Sequence, residues 1–540
     1  MIKKILDSPN RALITLCSAL VLAIVHQYLF FDKGVGVSYP LFVVLFYGYM
    51  FVFARDRVRA FAWVDLFIAS VVLLLSLTFA LFDNELFHAL NFLTIPGLII
   101  LHMAYLIGRK QTQWWQISLI GLAVDHLLPQ SIRHWPTIGR TLMKKGGRKL
   151  ASKQKVVVTK VFIGLIVSLP ILIVVVGLLT SADGIFDQYL SGIPAWLNDL
   201  TLTPGLPRVI WIIIASVFFF SYVWGFVQPM EYESERRENT HWKNQSVALP
   251  LAHRDENDGE NSDPVMVNPS YEGTIPNSNL SKPQLVEPLR LDPIIIGTVL
   301  FVINSVYLLF VFVQFSYLFG AGMGNLPSEL SYAEYARSGF IELVLVTGIN
   351  FFILVIALQF TRSGGTISNI VHQVLLTLLI VCSAVMLYSA FMRLSLYEEA
   401  YGYTYIRFLV HAFMIFLALL LLIAGLRIRY TTIPLIRCYI VLALTAYVAM
   451  NYVGMDNQIA ERNIERYHQS GQIDANYLAN LSADAVPQLK QFADESYPEL
   501  HELLLLNQSQ YLLERNDRSW SSFNLSRTIA SRELEELRKQ

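Results

Sequence analysis

Charged and imidazole side chains collect around the apolar segments in the second half of this chain. An ionised residue inside a membrane-spanning segment costs about 2.5–3.5 kcal/mol on insertion scales, so each one is a candidate functional residue. Arg407 and His411 are four residues apart, which places them on one face of a helix. Together with a carboxylate, they could bind an anionic or zwitterionic ligand, or could respond to pH through His411. The group comprises Glu334, Arg337, Glu342, Arg393, Glu398, Glu399, Arg407 and His411.

The same charges also fit a purely structural role. Glu342 is expected to pair with Arg393 or Arg407 if the three spans that hold them pack side by side, and such a network would clamp the spans together. Near the other membrane face, Asp65 and Arg437 are interpreted as local ion pairs or as side chains that reach the interface. The ligand site and the structural network both remain open.

No motif in the sequence predicts catalysis, a cofactor or a metal centre. The segment HELLL at 501–505 lacks the second histidine of a zinc protease, and GAGMG at 320–324 follows an apolar span where a dinucleotide-binding loop would follow a strand. The three cysteines, Cys17, Cys382 and Cys438, lie in apolar runs and predict no disulfide framework. The net charge of zero gives no field that would attract nucleic acid.

Composition and pattern both predict an integral membrane protein. Hydrophobic residues make up 54% and charged residues 15%, against about 25% charged in a soluble domain. Eleven apolar runs are long enough to cross a hydrocarbon core of about 30 Å as helices, which are required because lipid cannot hydrogen-bond an exposed backbone. The predicted fold is an all-α, polytopic transmembrane helix bundle. The predicted spans are 12–31, 36–54, 60–82, 89–108, 157–180, 207–228, 294–318, 339–360, 367–391, 403–425 and 431–452.

Lysine and arginine lie in alternate loops, and this sets the predicted orientation. Arg55, Arg57 and Arg59 follow span two, and Arg427 and Arg429 follow span ten. Because cationic loops resist translocation, this side is predicted to be cytoplasmic. An odd number of spans then places the N-terminus in the cytoplasm and the C-terminal segment outside it.

The spans and the shifts in composition divide the chain into six segments. Residues 109–156 combine tryptophans with a basic run and are interpreted as an amphipathic segment on anionic lipid headgroups, with a plain cytoplasmic loop as the alternative. Residues 230–292 are rich in Asn, Ser, Pro and Glu, which predicts a disordered acidic cytoplasmic linker. The tail 453–540 has helical spacing of leucines and predicts a small extracytoplasmic helical module. The other segments are 1–108 with four spans, 157–229 with two spans and the outer loop 181–206, and 293–452 with five spans.

The tyrosine-rich segments of the second half resemble a known family. The runs LSYAEYARSGFIELVLV, MRLSLYEEAYGYTYIRF and DNQIAERNIERY, with WSSFNLSR near the end, are similar to bacterial inner-membrane proteins grouped as domain of unknown function 4173 (DUF4173), which is related to DUF4153. The resemblance runs from about residue 157 to residue 528 and implies a multi-pass protein of the bacterial cytoplasmic membrane with no established reaction. The family positions that it implies are Tyr332, Tyr335, Arg337, Gly339, Glu342, Arg393, Tyr397, Tyr401, Gly402 and Arg407.

Three functions are consistent with these features. The leading hypothesis is a non-enzymatic protein that senses or binds a molecule at the outer face, or assembles with an unidentified membrane or signalling protein. A secondary transporter of a small solute is favoured by the number of spans and by Pro96, Gly97 and Pro170 inside them. A membrane enzyme acting on cell-envelope substrates would use Glu342 and His411 as acid and base.

The predicted orientation can be tested with a reporter fusion. Alkaline phosphatase, which is active only outside the cytoplasm, should be active when fused after Gln540 and silent when inserted near Gly259. The reversed pattern of activities would contradict the predicted orientation.

Overall fold

A computed structural model describes residues 10–108, 112–145, 205–229, 293–321, 340–361, 365–515 and 519–539. Within these ranges the regular elements are helices, and ten of them are long and apolar enough to cross a membrane. The predicted all-α, polytopic transmembrane bundle is therefore confirmed. The predicted span 157–180, the linker 230–292 and most of the loop 181–206 lie outside the described residues.

The helices of the membrane region follow the predicted spans closely. The first four are α1 (Arg11–Phe30), α2 (Ser38–Ala54), α3 (Trp63–Leu81) and α4 (Glu85–Ile107). Next come α5 (Ser118–Asp125), a π-helical turn at His126–Gln130, a short helix at Ser131–Arg133, α6 (Trp135–Lys145) and α7 (Gly205–Val227). The last five are α8 (Pro293–Ala321), α9 (Phe340–Phe360), α10 (Thr366–Tyr401), α11 (Tyr405–Arg429) and α12 (Leu435–Tyr452).

Helix α12 joins two apolar cores. The first core is built by α1 to α4 and α7 and includes the fully buried Leu75 and Phe220. The second is built by α8 to α11 and includes Leu379. Tyr447 of α12 packs against the first core and Tyr439 against the second, so this helix contacts both groups.

Uncharged polar side chains fasten α12 to the first group. Asn91 of α4 donates to Thr78 at 3.0 Å and to Asn451 of α12 at 2.7 Å, and it accepts a hydrogen bond from Tyr447 at 2.7 Å. Such bonds average about 0.6 kcal/mol between membrane helices. They fix the rotation of α12 because each donor must meet its acceptor.

The residues after α12 form a helical module. Its elements are α13 (Met455–Ser470), α14 (Ala475–Ala479), a 3₁₀ turn at Ala483–Ala485, α15 (Val486–Glu495), α16 (Glu499–Arg515), a second 3₁₀ turn at Trp520–Ser522 and α17 (Leu525–Leu537). The membrane helices complete its core: Phe87 of α4 is buried in it, and Tyr405 and Phe408 of α11 pack against it. The module therefore uses the membrane region as a packing partner.

Two helices continue through positions where the sequence predicts an end or a possible break. Helix α10 continues to Tyr401 instead of ending at residue 391, because no Gly or Pro interrupts it before Gly402, whose φ of 85° stops the helix. Glu398 and Glu399, predicted in a loop, therefore lie in the last turn of α10. Helix α4 continues through Pro96 as one helix, so this proline does not divide the span.

The loop between α1 and α2 contacts the module through its backbone. The Val37 N–H donates to the carbonyl of Phe523 at 3.0 Å. Gly36 lies so close to Ser522 and Phe523 that a Cβ added there would overlap their backbone atoms. Only glycine fits at this contact unless the two segments move apart.

Replacing this glycine should loosen the module. Gly36→Ala forces two backbones apart, and overpacking of this kind costs about 1–3 kcal/mol, which would lower the melting temperature in detergent and speed proteolysis of the module. Gly48→Ala is the matched control, since a Cβ at Gly48 meets no atom within 4 Å. Indistinguishable behaviour of the two variants would contradict this contact.

Candidate functional site

His411 and Glu398 form the centre of the predicted polar group. They meet because α10 and α11 are antiparallel neighbours joined by a three-residue turn. Glu398 is 3% exposed, and its Oε2 lies 3.0 Å from His411 Nδ1. Ser395 Oγ lies 3.4 Å from His411 Nε2, and the Phe391 ring is 4.4 Å from the imidazole. The result is a carboxylate–imidazole pair against an aromatic wall.

Arg407 lies beside this pair and is held by the turn. Its guanidinium carbon is 4.1 Å from the centre of the Tyr397 ring, and Nη1 donates to the carbonyl of Gly402. The Tyr401 ring packs on Tyr397 at 4.9 Å. Stacking of this kind keeps a guanidinium planar against the ring and leaves its edge available for an anion.

The module holds this same turn in place. Asn463 of α13 accepts from the Tyr403 N–H at 3.0 Å and donates to the Tyr403 carbonyl at 2.9 Å. Arg466, one turn further along α13, donates to the carbonyls of Glu399 and Ala400 at 2.9 and 2.7 Å. The backbone next to the Glu398–His411 pair is therefore bound directly to the module.

The structure separates some of the predicted site residues from this centre. Tyr332, Tyr335 and Arg337 lie outside the described residues. Glu342 is exposed at the start of α9, and within the described ranges no ion pair joins it to Arg393 or Arg407. The carboxylate beside the imidazole is that of Glu398. The contributions of Asn463 and Arg466 were missed, since nothing in the local sequence relates α13 to the turn.

A second polar cluster, which no local sequence pattern predicts, lies where the turn between α3 and α4 enters the module. Asp83 is 0% exposed, and its Oδ1 lies 2.6 Å from Nε of Arg527, which is 8% exposed. The backbone N–H of Asp83 donates to both carboxylate oxygens of Asp484 at 3.0 and 3.2 Å. A third carboxylate, that of Asp456, accepts from the Asn84 side chain at 2.6 Å and from the Ser482 N–H at 3.1 Å.

This acid cluster, comprising Asp83, Asp456, Asp484 and Arg527, has more carboxyl groups than cations among the described residues. Burial, together with the nearby charges of Asp456 and Asp83, raises the pKa of Asp484 to about 6, although hydrogen bonds from Ser526 and from the Asp83 N–H oppose the change. Burial also raises the pKa of Asp456, although hydrogen bonds from Asn84 and Ser482 oppose the change. The cluster can therefore take up a proton in mild acid.

The two isolated charges near the opposite end of the bundle have local partners. Asp65 is 1% exposed and pairs with Arg59 at 2.8 Å, which confirms the predicted local ion pair, and His102 Nε2 lies 3.5 Å from the same carboxylate oxygen. The guanidinium carbon of Arg437 lies 3.4 Å from the centre of the Trp115 ring. Both groups hold neighbouring segments together.

Comparison with family models matches most of the chain. A family model described as "Domain of unknown function (DUF4153)" matches residues 69–492. No curated protein and no solved structure matches the chain. The matched range contains the α3–α4 turn, the α10–α11 turn and α13, and it ends before Arg527.

The ion pair of Asp83 and Arg527 should behave as a coupled unit. Arg527→Gln leaves a buried carboxylate without its cation, and a change of this kind costs about 3–5 kcal/mol, measured as a loss of thermal stability in detergent. Adding Asp83→Asn should recover part of that loss. Simple addition of the two effects would mean that the groups do not interact.

A surface pair provides the control. Arg462 and Glu465 lie 3.5 Å apart with side chains 60% and 55% exposed. Arg462→Gln should therefore change stability by no more than about 1 kcal/mol.

Proposed function

The chain belongs to the DUF4153 family of domains of unknown function, and from that premise we propose a non-enzymatic sensing protein of the bacterial cytoplasmic membrane. In this proposal the N-terminus is cytoplasmic and the module lies on the outer face, as the lysine and arginine distribution indicates. The tyrosine-rich segments around Tyr335 and Tyr401 support a finer placement beside DUF4173 proteins. An unidentified membrane or signalling protein would receive the output.

The observation that supports sensing is the contact of α13 with two polar sites. Asp456 in its first turn belongs to the acid cluster, and Asn463 binds the turn beside Glu398 and His411. Coupling between two sites requires an element whose position both sites influence. Helix α13 meets that requirement because hydrogen bonds join it to both sites, through Asp456 at the acid cluster and through Asn463 at the α10–α11 turn.

The input that this chemistry supports best is an increase in proton concentration. We call the module docked when it packs on the membrane helices as it does in this structure. Asp484 has an ordinary pKa of 3.8 when solvated and about 6 in the docked protein. Between these values the docked state binds a proton that the undocked state does not bind, so docking strengthens as the pH falls from 7 towards 4. Below pH 4 both states are protonated at this site, and the gain stops.

The other two hypotheses have less support. The transporter hypothesis used Pro96 as a helix break, but α4 continues through this residue. The enzyme hypothesis paired Glu342 with His411, but the imidazole contacts Glu398, which is 3% exposed and has little room to reach a substrate. A buried and internally bonded centre favours a structural response over catalysis.

The proposal predicts a pH-dependent interface. Docking of the module, measured by hydrogen exchange of α13 to α17 and by thermal unfolding, should be stronger at pH 5 than at pH 7.5. One proton accounts for at most about 1.4 kcal/mol per pH unit. Asp484→Asn, which is neutral at every pH, should stabilise docking at pH 7.5 and flatten its dependence on pH.

The control replaces an acid of the same module that faces solvent. Glu461 is exposed on α13, so Glu461→Gln should leave the pH profile unchanged. A profile that is flat in the unaltered protein, or equally steep in Asp484→Asn, would contradict proton sensing through this cluster.

A further inference from the structure

An apolar cavity of about 520 Å³ lies between α1, α2, α4 and α7. Cavities of about 300–1,000 Å³ are the usual size for binding small molecules. Aromatic rings form most of its wall, among them Phe42, Phe219 and Tyr222. Phe30 from the end of α1 and Tyr39 from the start of α2 also line it, so it lies in the half of the bundle nearest the α1–α2 loop.

The cavity opens to the side of the bundle. Three of its lining residues are large apolar side chains that remain well exposed: Phe92 at 62%, Trp211 at 46% and Phe218 at 43%. On a membrane-spanning helix such side chains face hydrocarbon, since exposure to water there would be unfavourable. The opening therefore admits a hydrocarbon chain from the bilayer more readily than a solute from water.

A cationic side chain lies one helical turn from the cavity wall. Arg208 precedes Trp211 by three residues and so shares its face of α7. Its guanidinium carbon lies 5.2 Å from the ring of Phe31, and its buried Nε has no hydrogen-bond partner among the described residues. Lys33 lies in the adjoining loop, next to the exposed Asp32. A buried donor without an acceptor is costly, and a phosphate oxygen would satisfy it.

We propose that this cavity binds an acyl chain of an anionic phospholipid, with the lipid phosphate against Arg208. The apolar wall accepts the chain, and the guanidinium offers the paired N–H donors that phosphate oxygens accept. Trp211 lies in the second turn of α7 and lines the cavity, and its Nε1 donates to His26 at 3.1 Å, which fixes the ring as part of the wall. The site is independent of the acid cluster and of the proposed sensing function.

Native mass spectrometry of the full-length protein in detergent tests the site. Phosphatidylglycerol and phosphatidylcholine with identical acyl chains are titrated in parallel, so that only the headgroup charge differs. Phosphatidylglycerol should bind about tenfold more tightly, and Arg208→Gln should reduce it to the level of phosphatidylcholine. Arg429→Gln is the matched control, because Arg429 is an exposed arginine at the end of α11, away from the cavity, and should leave both affinities unchanged.

A second variant tests the cavity itself. Ile100 lines the cavity and is only partly buried, so Ile100→Trp should fill the space while the protein still folds. This variant should weaken the binding of both lipids about equally, since both lose the space that holds the acyl chain. Equal binding of the two lipids by the unaltered protein, equal effects of the Arg208 and Arg429 variants, or unchanged binding by Ile100→Trp would each overturn the proposal.

Discussion

The buried ion pair of Asp83 and Arg527 determines how the module lies on the membrane helices. Both groups are buried, so removing one of them would leave the other as a buried charge without its partner. Asn524 donates to the carbonyls of Phe79 and Phe82, where α3 ends. The last carbonyls of a helix have no partner within it, and here the module supplies one. The module thus caps a membrane helix, and the placement of its other helices follows from that contact.

With the module fixed in this way, α13 lies across two sites that the chain keeps far apart in sequence. Asp456 and Asn463 are seven residues apart on this helix, a distance of about 10 Å along its axis. Tyr477 of α14 adds a second connection between the module and the α10–α11 turn. Its hydroxyl accepts from the N–H of Tyr405, the first residue of α11, at 3.0 Å. Burial, followed by the charge of Asp456, raises the pKa of Tyr477, so the phenol stays protonated. Direct hydrogen bonds of α13 therefore connect the acid cluster to the α10–α11 turn.

The membrane helices could be predicted from the sequence because an apolar run long enough to span a bilayer is a local signal that needs no knowledge of tertiary contacts. The partner of Asp65 could be predicted for a similar reason, since Arg59 is only six residues away in the sequence. The acid cluster has no such local signal: Asp83 and Arg527 are 444 positions apart, and the segment DNELFH has the composition of an ordinary acidic loop. The polar run YEEAY lowers the hydropathy and so predicts a loop at Glu398, although its residues have high enough helix propensity to continue α10.

The acid cluster has more carboxyl groups than cations, and this excess is not needed to hold the module on the membrane helices. Apolar side chains of similar volume would hold two surfaces together at least as well as a buried ion pair, and a second cation would balance the charge. With one guanidinium for three carboxyl groups, the docked state depends on whether Asp484 holds a proton. An anchor gains nothing from that dependence, whereas a sensor needs two states separated by a small free energy. Within the described residues, the Asp83–Arg527 pair is the ion pair that joins α17 to the α3–α4 turn, and Asp484 accepts a hydrogen bond from the Asp83 N–H. In the proposed function, a proton on Asp484 would therefore strengthen the docking of the module at this contact.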